Sequence, residues 1–104
     1  MRQSLTIIKV GGKIVEDANA LAALLDSFKE IPGNKILVHG GGRTATQVAS
    51  QLGYETKMID GRRVTDAGML RVVTMVYGGL VNKAVVAGLS SRGVCALGLS
   101  LIHI

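Results

Sequence analysis

Two short stretches of this chain bring exposed backbone, and in one case a cation, to the end of an apolar run: Ile8-Lys9-Val10-Gly11-Gly12 and Val38-His39-Gly40-Gly41-Gly42. Glycine lets a ligand approach the main chain closely and leaves N–H groups uncrowded, so either cluster suits the oxygens of a phosphate or carboxylate. Lys9 adds positive charge beside the first. Moving a phosphoryl group between two oxygens requires such charge neutralisation more than it requires a covalent nucleophile. A strand-end lysine beside a plain turn is the competing reading of the first cluster, and a structural tight turn that of the second.

Other residues narrow the chemistry. The second cluster lacks the Gly-Lys-Ser or Gly-Lys-Thr ending of a P-loop and the spacing G-x-G-x-x-G. His39 has no Ser or Cys nucleophile and carboxylate arranged around it, so it reads as a loop-orienting or ground-state hydrogen-bonding group. Arg63 has a planar fork suited to a carboxylate, and a hairpin would carry it over the strand ends. Nothing in the sequence separates it firmly from Arg62. Asp17, Asp60 and Asp66 read as caps and turns, Asn82 and Lys83 as a polar helix face, and no metal site is expected from two distant histidines and one cysteine.

The elements that must position these residues follow from hydrophobic period. Residues 4–10 read as a strand whose near-continuous apolar character suits burial on both faces of a parallel sheet. A helix over 18–29 carries Leu21, Leu24, Leu25 and Phe28 on one face, with Asp17 or Asn19 at its start. Ile31-Pro32-Gly33-Asn34 breaks it before a second strand at Lys35-Ile36-Leu37-Val38, completing a βαβ unit. A helix near 43–52 uses Ala45, Val48, Ala49 and Leu52. Asp60-Gly61 then turns a hairpin between Lys57-Met58-Ile59 and Arg62-Arg63-Val64. Thr65-Asp66 starts a helix running to about Tyr77 on Met69, Leu70, Val73 and Val76. Gly78-Gly79 separates it from another near 80–91, packed through Leu80, Val81, Ala84, Val85 and Leu89. A last strand begins at Val94 and buries Cys95 as a small hydrophobe. Both glycine clusters thus fall at strand C-terminal edges, where open α/β sheets bind ligands.

Composition sets the outer limits. The 104 residues allow one small domain, with a core of aliphatic side chains, since 48% of the chain is hydrophobic and only 3% aromatic. A net charge of +5 favours an anionic partner. The bases are scattered without aromatic interleaving, which argues for a small anion and against nucleic acid. No signal-peptide pattern is apparent, and no uninterrupted apolar run approaches about 18 residues, so no membrane partner is expected and the cytoplasm is the default location.

Taken in order and at their separations, Ile7-Ile8-Lys9-Val10-Gly11-Gly12, Val38-His39-Gly40-Gly41-Gly42 and Gly61-Arg62-Arg63-Val64-Thr65 resemble the N-terminal part of the acetylglutamate kinases, a branch of the amino acid kinase family. Gly78-Gly79-Leu80-Val81-Asn82-Lys83 and Ala96-Leu97-Gly98-Leu99 extend the resemblance, which covers residues 4–99. It implies a partial three-layer αβα fold with a mainly parallel sheet. It also implies ATP-dependent phosphorylation of the γ-carboxylate of N-acetyl-L-glutamate in arginine biosynthesis, with N-succinyl-L-glutamate as the alternative substrate.

By the same resemblance, Lys9 is catalytic, Gly11 and Gly12 approach phosphate, and Gly41, Gly42 and Arg63 bind the amino-acid substrate, Arg63 at its α-carboxylate. ATP and Mg2+ are the implied cofactors. The full-length protein would be a homo-oligomer, and region 66–89 is the best interface candidate. Such enzymes are about two and a half times longer, with most of the ATP site in their C-terminal part. Residues 1–99 therefore read as the substrate-binding portion of a kinase domain and 100–104 as a non-native tail. A non-catalytic anion-binding or interaction module is the competing class.

Overall fold

The computed structural model describes residues 4–100. Strand β1, Leu5–Val10, pairs in parallel with β2, Asn34–His39, in a register running from Leu5 opposite Asn34 to Val10 opposite His39. Between them lie a one-turn helix α1, Gly12–Val15, and helix α2, Ala18–Lys29. The in-register pairing of two strands of equal length sets Gly11-Gly12 beside Gly40-Gly41. Helix α3, Gly42–Gln51, follows β2, and a separate antiparallel hairpin joins β3, Met58–Ile59, to β4, Arg62–Arg63. Both turn residues of that hairpin, Asp60 and Gly61, have positive φ (51° and 75°), as an Asp-Gly two-residue turn requires.

Local chemistry starts the helices where expected. The Asp17 carboxylate accepts from Asn19 N at 2.9 Å and Ala20 N at 3.0 Å, satisfying two donors that the first turn of α2 leaves open. Asp17→Ala is expected to cost about 1 kcal/mol in an unfolding titration. Helix α4, Ala67–Val73, is capped in the same way by Asp66, whose carboxylate accepts from Met69 N at 2.8 Å.

The two Gly78-flanking helices are one helix. α4 passes into a π-helical stretch, Thr74–Val81, and on into α5, Asn82–Ser91, without a break. Buried apolar positions run 69, 72, 73, 76, then jump five residues to 81, and continue at 85 and 89. Five is the π spacing, and the wider turn rotates everything after it. Leu80 and Ala84, expected to pack in a separate helix after Gly78-Gly79, therefore face out, and Leu70, also expected to pack, is exposed before the shift. At 25 residues this helix is long and apolar enough to cross a membrane by length and composition, yet its inner stripe is already committed to the core.

That core gathers Ile8, Val10 and Leu37 from the sheet, Leu25 and Phe28 from α2, Ala45 and Ala49 from α3, and Met69, Val72, Val76, Val85 and Leu89 from the long helix. Phe28 also lies under the Lys35 ammonium, 5.2 Å from its ring centre. All of this packs on one sheet face. The other face is bare among the described residues: Leu5, Ile7, Ile36 and Val38 are exposed, Ile7 by 61%. β1 is thus not buried on both sides as its composition suggested, because among the described residues helices cover only one sheet face. The fold is a mixed α/β arrangement on a parallel strand pair, a partial form of the expected architecture.

Two further expectations fail beyond α5. Residues 94–100 form no strand, and Cys95 is exposed. Val94 and Ala96 rest on the core while Leu97 is 84% exposed, so the segment lies along the core without a ladder partner among the described residues. Residues 101–104, most of the expected tail, lie outside the described residues.

One exposed ion pair ties α2 to the end of α5: Arg92 Nε donates to Asp26 Oδ1 at 2.7 Å, and Arg92 also donates to Gly88 O at 2.9 Å. That hydrogen bond, aided by the charges of Arg92 and Lys29, holds the Asp26 carboxyl below its ordinary value of 3.8. A lowered folded-state pKa means the contribution is present above 3.8 and disappears as pH falls through the folded value. Unfolding curves of the wild type and Asp26→Asn are expected to differ slightly at neutral pH and to converge in acid, the pair being exposed and so weak.

Candidate active site

The two glycine clusters meet at one edge of the sheet. A Cβ built on Gly40 would lie 3.9 Å from Gly12 N, and one on Gly12 would lie 3.9 Å from Gly41 N. Gly41 is buried, with φ 157° and ψ 25°, a conformation open to glycine, and the Tyr77 ring and Val81 side chain press against it. The chain must lack a side chain here to turn from β2 into α3.

Arg63 reaches this edge from the hairpin. Its Nη2 donates to Gly42 O at 2.9 Å and to Thr46 Oγ1 at 3.0 Å, while Nη1 lies 3.9 Å from Met69 Sδ. Arg62, its neighbour, is exposed, so the pleat of β4 makes the choice that the sequence left open. Thr46, which helps fix the guanidinium, gave no sequence signal beyond lying one turn into α3.

The N-terminus of α3 is partly occupied from within. Glu16 Oε1 accepts from Arg43 N at 3.0 Å and Thr44 N at 3.2 Å, filling the cap that Gly41 has no side chain to provide. The second glycine cluster was expected to suit an outside anion, but the two N–H groups just past it serve Glu16. Gly41 and Gly42 remain beside it.

Behind the loop sits the one buried polar side chain of the described core, Asn82. Its Nδ2 lies 3.2 Å from His39 Nε2 and donates to Leu99 O at 3.1 Å, while its Oδ1 accepts from Lys83 Nζ at 3.0 Å. His39 Nδ1 lies 3.0 Å from Gly40 O. A carbonyl accepts only, so these partners assign the proton to Nδ1 and leave Nε2 to accept from Asn82. The expected polar helix face is therefore a buried tie among β2, α5 and the segment after it, and His39 is held as an orienting group.

Lys9 lies apart from Arg63. It stands on the bare face of β1, exposed, with no hydrogen bond or ion pair among the described residues. Beside it is a cavity of about 460 Å3 whose lining includes Lys9, Gly11, Ile14, Ala23 and Leu24. The edge therefore offers a cation and a glycine turn at β1, and a second glycine turn with a fixed guanidinium at β2. Chemically the edge carries two positively charged side chains and two glycine turns, and its two ends are differently equipped.

Comparison with known proteins places the chain in a family. The sequence profile of the amino acid kinase family matches residues 4–104. The acetylglutamate kinase of Bacteroides thetaiotaomicron is 66% identical over 100 residues, covering 96% of this chain and 39% of that protein. The acetylglutamate kinase of Methanopyrus kandleri is 46% identical over 94 residues, covering 90% and 35% respectively. The crystal structure of smu.665 from Streptococcus mutans superposes with a TM-score of 0.76 at 24% identity over 92% of this chain and 40% of that one, a likeness of fold. The chain spans about two fifths of the length of the curated relatives it matches. With the family profile running from residue 4 onward and the paired glycine edge in place, the chain belongs to the amino acid kinase family.

Proposed function

We propose that the protein carrying this chain uses ATP, with Mg2+, to phosphorylate the γ-carboxylate of N-acetyl-L-glutamate in the cytoplasm, as a step of arginine biosynthesis. N-succinyl-L-glutamate is the alternative substrate. The observation that carries this reading is the meeting of Gly12 with Gly40 and Gly41 at one sheet edge, with Arg63 fixed over Gly42.

In this reading Arg63 and the backbone of Gly41 and Gly42 hold the α-carboxylate end of the substrate. Gly11 and Gly12 bring N–H groups to phosphate oxygens at the other end. A γ-carboxylate oxygen forms the new bond to the terminal phosphorus of ATP as the bond to the ADP oxygen breaks, and Lys9 offsets the charge on the transferring group. Among the described residues no group of three or more His, Cys, Asp or Glu is placed to hold a metal ion. This chain's share of charge neutralisation therefore falls to Lys9 and the glycine N–H groups. Mg2+ held by phosphate oxygens would supply further neutralisation. Exposed Leu70, Met75 and Leu80 on the long helix support self-association of the full protein.

The test is acyl-phosphate formation by the protein encoded by the complete gene, trapped with hydroxylamine and matched to ADP release. Faster product from N-acetyl-L-glutamate than from N-succinyl-L-glutamate supports the main reading, and the reverse order selects the alternative. ATP-dependent trapping with neither substrate defeats both.

A further inference from the structure

Tyr77 is the polar side chain at this edge that neither motif nor period singles out. It lies in the π-helical stretch, half-buried, with ring carbons 3.0 and 3.1 Å from the Cβ position of Gly41. A Cβ on Gly42 would stand 3.7 Å from the Tyr77 hydroxyl and 3.7 Å from Arg63 Nη2. The hydroxyl and the guanidinium therefore converge on the same point over the second glycine turn. Among the described residues the hydroxyl makes no hydrogen bond. Its ring, by contrast, is fixed against the buried Gly41, so the O–H is presented from a held position.

From this convergence we infer that Tyr77 is a recognition residue, whose hydroxyl donates to the same substrate carboxylate that Arg63 binds. The inference rests on the proposed function for the identity of that substrate and deepens it at one end of the site. Arg63 spends Nη2 on Gly42 O and Thr46, so its fork is only partly free for a ligand. A second donor at the same turn offers the carboxylate a further hydrogen bond. The glycine turn at β1, with Lys9, is equipped for phosphate, so the Arg63–Tyr77 end takes the carboxylate that does not react. The π turn has a role in this: the five-residue step from Val76 to Val81 keeps both in the core while Tyr77 reaches the glycine turn.

Tyr77→Phe keeps the ring on Gly41 and removes only the oxygen. In the protein encoded by the complete gene, calorimetric affinity for N-acetyl-L-glutamate is expected to fall about tenfold or more, the worth of one hydrogen bond to a charged group. KM for that substrate is expected to rise similarly, with kcat and KM for ATP within about twofold. Affinity for N-acetyl-4-aminobutyrate, which lacks the α-carboxylate, is expected to be weak and equal in both proteins. Unchanged affinity for N-acetyl-L-glutamate in the variant overturns the inference, as does an equal loss for both ligands or a wild type that binds neither. A wild type that binds N-acetyl-L-glutamate without phosphorylating it defeats the proposed function alone, and the comparison of affinities still decides the role of Tyr77.

Discussion

Lys9→Met is expected to lower acyl-phosphate formation by about 10²–10³-fold, the usual loss when one preorganised group that stabilises transition-state charge is removed. Methionine keeps the length and apolar stem of the side chain and deletes the ammonium. The loss is expected in kcat, because the charge matters most as the phosphoryl group is in transit between oxygens. Lys9 is exposed and has no hydrogen bond or ion pair among the described residues, so thermal stability is expected to stay within about 0.5 kcal/mol of the wild type. Activity and stability thus separate at this position. A variant retaining most of its kcat, measured by hydroxylamine trapping at saturating ATP, would remove Lys9 from the reaction and leave it as a solvated strand-end cation.

Gly41→Ala is expected to act through the fold first and the site second. At φ 157° and ψ 25° an alanine is strained, at a cost of about 1–3 kcal/mol. Its methyl would also stand 3.0 Å from Tyr77 Cδ1 and 3.1 Å from Val81 Cγ2, in a buried loop. Tyr77 and Val81 belong to the long helix and have little room to withdraw, so a further 1 kcal/mol or so of overpacking is expected. A total of about 2–4 kcal/mol would lower Tm by roughly 10 °C or more for a domain of this size. Gly61→Ala separates the two terms, since Gly61 has φ 75° but open space around it. If Gly41→Ala is no more damaging than Gly61→Ala in thermal unfolding, the close packing of Tyr77 on the glycine turn is wrong.

Where a signal is local in sequence, it was readable. Asp17 and Asp66 cap α2 and α4 because an acid side chain just ahead of an apolar period satisfies open N–H groups wherever the helix ends up. Asp60-Gly61 makes the hairpin because a two-residue turn with positive φ requires those residue types. The α2 face of Leu25 and Phe28 needed only the 3.6-residue period. The long helix was misread because its period changes within it: the π stretch moves Leu80 and Ala84 outward and removes the break expected at Gly78-Gly79. Asn82 was misread for a related reason. Its partners, His39 and Leu99, are 43 and 17 residues away, and no local pattern distinguishes a buried amide from an exposed one.

The sequence by itself determined the parallel βαβ unit, the Asp60-Gly61 hairpin and the two glycine turns, with Lys9 at the first. These follow from short-range periodicity, turn chemistry and residue type, which act over a few residues. Only the tertiary structure decided which arginine of Arg62-Arg63 turns inward, that Glu16 takes the N-terminus of α3, that one sheet face is bare among the described residues, and that Tyr77 and Arg63 converge over Gly42. Each of those depends on packing between segments distant in the chain, where strand pleat and helix register set side-chain direction and composition alone does not.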